Sequence, residues 1–145
     1  MQRSDEVPTA LAIRPAPNLT EDNRTFWKAA AENRLVAQRC RGCGRLHHPP
    51  RPMCPVCHGL EHDEAELSGR GRVYSYAVLH HPRSSKFTYP LVVALIDLDE
   101  GVRIMSNLVG IGPADVQIGM QVHVRFEPTD GEMAVPVFAP DGSDQ

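Results

Sequence analysis

Cys40, Cys43, Cys54 and Cys57 are the only cysteines of the chain, and they form two C-x-x-C pairs with ten residues between them. Two residues between thiols let a tight turn aim both sulfurs at one point. Two such turns supply the four soft ligands that a tetrahedral Zn²⁺ prefers. Gly42 and Gly44 in the first turn and Gly59 after the second offer the positive-φ freedom that such turns call for. The pattern predicts a structural zinc site at Cys40, Cys43, Cys54 and Cys57, with four thiolates filling the shell and no position left open for a reacting water.

Three other uses of these cysteines compete. Paired disulfides need an oxidising compartment, and Met1-Gln2-Arg3-Ser4-Asp5-Glu6 is polar and lacks the apolar core of a secretory signal, so a cytoplasmic location is expected. A redox-active C-x-x-C belongs at the start of a helix, whereas both pairs here sit in Gly/Pro-rich sequence. Mixed ligation is the third, because His47, His48, His58 and His62 flank the turns and each carries a ring nitrogen able to bind zinc.

Other chemistry-bearing groups are fewer. Ser84 and Ser85 lie near His80 and His81, but serines and histidines in a polar loop are ordinarily loop residues. Asp97, Asp99 and Glu100 are candidate acid/base carboxylates, although their place at Asp99-Glu100-Gly101 is better explained by a hairpin turn. The loop His80 to Pro90 offers Arg83, Lys86, Phe87 and Tyr89, two cations and two rings suited to a phosphorylated adenosine. A protein partner, or no ligand, fits that loop equally well.

The chain has 145 residues, 41% of them hydrophobic, a net charge of −3 and a pI near 6.1, which suits one compact unit or two small ones. No apolar run of membrane-spanning length occurs, so no membrane association is expected. Arg34, Arg39, Arg41, Arg45 and Arg51 cluster around the cysteines, with Glu61, Asp63, Glu64 and Glu66 following. Guanidiniums there would offset the −2 charge of a Zn²⁺ bound by four thiolates, or take up a ligand.

Several elements are expected to position these groups. Residues 1–19, with Pro8, Pro15 and Pro17, read as a disordered arm. Residues 20–34 hold an N-terminal helix, capped from Thr20, Asp22 or Asn23 and carrying Phe26 and Trp27, which pack in the core or against another subunit. Residues 35–67 form the zinc ribbon, entered by a strand over 35–39. Residues 68–140 form the barrel and 141–145 a mobile tail. Alternation from Val73 to Leu79, the continuous apolar run Leu91 to Leu98, Val102 to Val109, and the strict alternation Met120 to Glu127 predict four barrel strands. The second of these reads as buried on both faces. Ala134 to Ala139, interrupted by Pro136, supplies a fifth strand at an edge or a closing position. Helix, Cys₄ ribbon of rubredoxin-like type and five-stranded OB-fold barrel make a mainly β protein.

The stretch from Phe26 to Phe138 resembles a known family, the zinc-ribbon plus OB-fold acyl-CoA-associated proteins long catalogued as a domain of unknown function. The motifs that carry the resemblance are Phe26-Trp27, Leu35-Val36-Ala37-Gln38-Arg39-Cys40-Arg41-Gly42-Cys43-Gly44, Pro49-Pro50-Arg51 and Cys54-Pro55-Val56-Cys57. Ser68-Gly69-Arg70-Gly71-Arg72-Val73-Tyr74-Ser75, Ala94 to Arg103 and Ile118-Gly119-Met120 complete them. The resemblance implies an accessory role: such proteins associate with thiolase-like or hydratase-like enzymes acting on acyl-CoA, in aldolase-type or acyl-transfer steps, steroid side-chain degradation or archaeal isoprenoid-precursor synthesis. It implies that the catalytic Cys and His belong to the partner, and that CoA is a shared ligand. A rival from another class is a single-stranded nucleic-acid binder, since ribbons and OB barrels are used for that too. The acidic balance and the scarcity of cations on the alternating strands, Arg103 and Arg125 apart, weigh against it.

Overall fold

A computed structural model describes residues 13–142. After one short helix, α1 (Arg24–Ala31), come a three-stranded sheet and a closed barrel. The sheet contains β1 (Val36–Cys40), β2 (Leu46–His47) and β3 (His62–Glu66) in the order β2-β1-β3. The barrel contains β4 (Arg70–Leu79), β5 (Leu91–Leu98), β6 (Arg103–Leu108), β7 (Gln121–Pro128) and β8 (Ala134–Pro140) in the order β4-β5-β6-β8-β7. The mainly β architecture of helix, four-Cys ribbon and OB-like barrel is the one the sequence implied.

The helix is defined by local chemistry at both ends. Thr20 Oγ1 accepts from the Asn23 amide at 3.2 Å while Asn23 Oδ1 accepts from the Thr20 amide at 2.7 Å, a reciprocal box that starts the turn leading into α1. Termination follows the Schellman pattern: the Asn33 and Arg34 amides bond the carbonyls of Ala30 and Ala29, with Asn33 at φ 60°. Between these ends Phe26, Ala29 and Ala30 are buried at i, i+3 and i+4 and face β1 and β8. Trp27 meets Phe26 edge-on with centroids 4.9 Å apart and packs half-buried against the core.

One hydrophobic core joins all three parts. Phe26 of the helix, Leu35, Ala37 and Leu67 of the ribbon, and Val73, Ile96, Val122 and Phe138 of the barrel belong to a single buried cluster. The Leu67 amide donates to the Leu35 carbonyl at the seam, 2.8 Å. The barrel closes because β8 pairs antiparallel with β7 along its length and meets β6 in parallel at Leu108↔Phe138. Pro136 sits in this closing strand, where its carbonyl accepts from Ser106 Oγ at 2.8 Å.

The structure departs from the expectations in four places. β5 is not equally buried on both faces: Val92, Ala94, Ile96 and Leu98 are inside, while Leu91, Val93, Leu95 and Asp97 are only half-covered. The acidic run after the cysteines, read as charge alone, is strand β3, paired residue for residue with β1 from Val36↔Glu66 to Cys40↔His62. Of the supposed loose arm, residues 1–12 lie outside the described residues, and Arg14 and Ala16 are tied down, the Ala16 amide donating to Asp130 Oδ1 at 2.9 Å. Arg14 pairs with Glu127 at 2.6 Å, donates to Asn107 Oδ1 at 2.7 Å and bridges to Thr129. Of the tail, 143–145 lie outside the described residues, and Asp141 is held by the Gln121 carbonyl and by His123 Nδ1 at 3.1 Å.

Because the Arg14 side chain is only 11% exposed, Arg14→Ala leaves Glu127 and Asn107 without their partner in a part-buried site. The expected loss is about 2 kcal/mol in denaturant unfolding, together with faster hydrogen exchange at the Asp130 amide, which bonds the Arg14 carbonyl.

Candidate metal centre and adjoining surfaces

Two similar knuckles bring the thiols together. In the first, the Gly44 amide bonds the Cys40 carbonyl at 2.8 Å, and in the second the His58 amide bonds the Cys54 carbonyl at 3.0 Å. Gly44 (φ 77°) and His58 (φ 63°) hold equivalent left-handed positions. Gly42 and Gly59 have a different role from the expected one. A Cβ at either would stand 3.3 Å from Cys57 Sγ, so these positions are small to admit sulfur and not to permit positive φ.

The four Sγ atoms all lie within 4.8 Å of one another. Cys40 and Cys57 are 3.4 Å apart and Cys43 and Cys54 3.7 Å, near the edge of about 3.8 Å that a tetrahedron with Zn–S bonds of about 2.3 Å requires. Cys54 accepts from the Val56 and Cys57 amides at 3.4 and 3.5 Å and lies 3.2 Å from His47 Nε2. The Cys57 amide, with that of Val56 and with His47, holds the Cys54 thiol down at about 5. Cys57 goes the other way: although the Gly59 amide lowers it, the neighbouring Cys40 thiol and burial push it up to about 11. Four thiols so close cannot all ionise without a compensating cation, and a divalent metal resolves that conflict.

Among the described residues the four cysteines form a compact set without histidine. His47 touches a sulfur from outside it. His48 packs against Phe26 with the rings tilted by 45° and centroids 5.1 Å apart, and burial lowers its pKa, so it is neutral packing. No guanidinium is hydrogen-bonded to a cysteine sulfur among the described residues. Arg39 instead forks onto Asp63 directly opposite on β3, at 2.9 and 3.1 Å, and Arg34 pairs with Glu32 at 3.0 Å.

The loop between β4 and β5 holds the other candidates. Arg83 and Lys86 are exposed, Phe87 and Tyr89 half-buried. Tyr89 Oη accepts from the Ser84 amide at 3.0 Å and donates to the Pro82 carbonyl at 3.3 Å, and the Arg83 guanidinium lies 5.7 Å from its ring. The four residues therefore share one self-supporting loop. Ser84 Oγ accepts from the Lys86 amide, and among the described residues neither serine is hydrogen-bonded to His80 or His81. Asp97 is taken up by Arg103 at 2.6 and 3.2 Å, and Glu100 Oε2 by the Ser68 amide.

Two features have no signature in the local sequence pattern. A bulge between Val73 and Ser75 turns Tyr74 outward under the Arg103 guanidinium, 3.5 Å from the ring centroid. Beyond it the outer face of β4, β5 and β6 is an apolar strip, with Leu79 beside Leu91, and Leu95 between Ser75 and Met105. Met105 is 69% exposed. The other feature is a cleft between the knuckles and the β5–β6 turn.

Profiles of two domains match consecutive stretches of the chain: the ChsH2 rubredoxin-like zinc ribbon over residues 27–63 and the ChsH2 C-terminal OB-fold domain over residues 64–127. A DUF35 domain-containing scaffold protein of Methanocaldococcus jannaschii is 44% identical over 63% of this chain and 67% of its own length. The chain belongs to the ChsH2/DUF35 family. A probable enoyl-CoA hydratase alpha subunit of Thermomonospora curvata is 45% identical over 96% of this chain, which spans 43% of that relative's length. Among solved structures, the chain is similar to one described as an Ltp2-ChsH2(DUF35) aldolase. The TM-score is 0.82 at 46% identity, covering 86% of this chain and 98% of that one. For this DUF35 chain no helix among the described residues is long and apolar enough to cross a membrane.

Proposed function

We propose that this chain is a non-catalytic accessory subunit that docks on a thiolase-like, aldolase-type or hydratase-like enzyme acting on acyl-CoA and helps hold the CoA part of the substrate. The observation that carries the proposal is the likeness, over nearly the whole of that solved chain, to a protein described together with Ltp2 as an aldolase. The hydratase alpha subunit and scaffold relatives support the same division of labour. Within the chain, Cys40, Cys43, Cys54 and Cys57 hold a structural Zn²⁺, which fits four sulfurs at tetrahedral spacing. The metal supplies rigidity to the knuckles. The chain's own residues present surfaces.

The outer β4–β5–β6 strip suits the enzyme subunit as its occupant. Leu79, Leu95 and Met105 offer apolar area, and the Asp97–Arg103 pair on that face is neutralised internally, with exposed Arg72 opposite Asp97 at its margin. Arg83, Lys86, Phe87 and Tyr89 in the adjoining loop are assigned to CoA, with cations on phosphate and rings on the adenine. The apolar outer strip does not suit a single-strand binder, which needs cations and stacking rings along its strands.

The test is reconstitution. The purified chain alone should not turn over acyl-CoA, and as bait it should retain an acyl-CoA thiolase, aldolase or hydratase in stoichiometric amount. Met105→Glu, an exposed change that leaves the core untouched, should abolish that retention. Turnover by the lone chain, or retention unaffected by Met105→Glu, overturns the respective part. Arg83→Ala with Lys86→Ala should weaken CoA binding by the assembled complex about tenfold or more, as loss of charge-assisted phosphate contacts predicts. Unchanged affinity removes the loop from the site.

A further inference from the structure

β3 is an outer strand of the ribbon sheet, paired with β1 on one side and, among the described residues, with no strand on the other. The register identifies its free side. The Arg41 amide donates to the Glu61 carbonyl at 3.0 Å and the Leu67 amide to the Leu35 carbonyl at 2.8 Å, so along this antiparallel ladder the odd-numbered residues of 61–67 turn their backbone groups to β1. The amides and carbonyls of His62, Glu64 and Glu66 point away from the sheet, and among the described residues no hydrogen bond takes them up.

A groove of about 380 Å³ opens beside this edge, with His62 to Glu64 as one wall. Buried Phe26, Val36 and Ala37 form its floor, and exposed Glu21, Asp22 and Glu64 stand at its rim. Glu64 shares a sheet face with Gln38, which lies directly opposite it on β1 and also lines the groove. No lysine or arginine lines the groove. The Asp63 carboxylate is taken by Arg39, whereas Glu21, Asp22 and Glu64 are in no ion pair among the described residues. Arg24, Lys28 and Arg34 lie past Thr25 in a neighbouring hollow, so the excess of negative charge is confined to the stretch beside His62 and Glu64.

The open backbone groups, the apolar floor and the acidic rim select one kind of occupant. A strand laid along β3 would complete the ladder and place every second side chain on the groove face. An arginine or lysine there has an apolar stem to cover the floor and a charged head to meet the carboxylates. A second copy of β3 would set glutamate against glutamate, which destabilises a strand pair. Residues 1–12 offer Arg3 against Asp5 and Glu6, and so lack the positive balance.

We infer that the free edge of β3 captures an extended basic segment of a partner polypeptide by strand addition, with one arginine or lysine of that segment seated over Phe26 between Glu21, Asp22 and Glu64. This edge belongs to the ribbon and not to the β4–β5–β6 strip. Met105→Glu should leave the capture intact, and either reading can fail without the other.

The test is titration of the zinc-loaded full chain with a capped heptapeptide of alternating threonine and valine carrying one central arginine, followed by amide NMR and hydrogen exchange. Saturable shifts and slowed exchange are expected at the His62, Glu64 and Glu66 amides, while those of Asp63 and Ala65, already bonded to β1, change little. The peptide with glutamate in place of arginine should bind more than about tenfold more weakly, and one N-methylated at the arginine and the residue after it should not bind. Glu21→Gln with Glu64→Gln should lower affinity about fivefold, and Glu132→Gln on the barrel should not. Glu64→Pro removes an outward amide without touching the ladder to β1, and it should abolish binding at unchanged zinc content. Equal binding of the glutamate or N-methylated peptide, or unchanged affinity in the Gln double variant, overturns the inference. So does protection of the same amides by self-association without peptide, or no protection at all.

Discussion

Cys54→Ser is expected to release the metal and unfold the ribbon. A serine hydroxyl does not ionise to replace a thiolate, and Cys54 is the sulfur on which the Val56 and Cys57 amides and His47 converge. The binding free energy of a structural zinc, about 10–16 kcal/mol at neutral pH in small zinc domains, is folding free energy for a segment as polar as this one. Wild-type protein should carry one zinc per chain, and the variant close to none. Amide protection across β1, β2 and β3 should fall to that of an unfolded segment. Damage should also reach the barrel, because Leu35, Ala37 and Leu67 share its core. Full zinc content, or unchanged protection in β1, would refute the assignment of these sulfurs to a metal.

Phe138→Ala is the second large effect. Phe138 is fully buried, pairs with Leu108 across the parallel seam and with Val124 on β7, and so packs where the barrel closes. Truncation of a buried phenylalanine costs about 3–5 kcal/mol, against a total of roughly 5–15 kcal/mol for a domain of ordinary stability. Guanidinium unfolding should show the midpoint collapsing, with the slope retained if the native fold survives. Phe138→Leu should recover most of the loss. A change below about 1 kcal/mol would mean that the closure is not the packed junction described.

The parts of the fold written in local patterns were legible in the sequence. Cysteine spacing gave the ribbon, and the alternation from Met120 to Glu127 gave β7 nearly to its ends, Gln121 and Pro128. The run Leu91 to Leu98 gave β5 but misled about its outer side, since Leu95 and Met105 look like core residues until the register places them on the outside together. β3 was missed because His62–Glu66 has no apolar alternation; it is a strand by virtue of its ladder to β1 and the Asp63–Arg39 fork across it. Long-range anchors were equally silent. Arg14 reaches Glu127 across 113 residues, and Arg51 comes to line a hollow with Val102 only through the packing of ribbon on barrel. The glycines beside the cysteines show the same limit: sequence marks them as special, while only the backbone distinguishes Gly44, which needs its φ, from Gly42 and Gly59, which make room for sulfur.

The half-covered outer side of β5 carries a thermodynamic consequence. Water ordered over Leu91, Val93, Leu95 and Met105 would be released when a second polypeptide covers them, so such an association would show a negative heat-capacity change. Its grip would tighten on warming from the cold and would be little affected by added salt, unlike an assembly held by ion pairs.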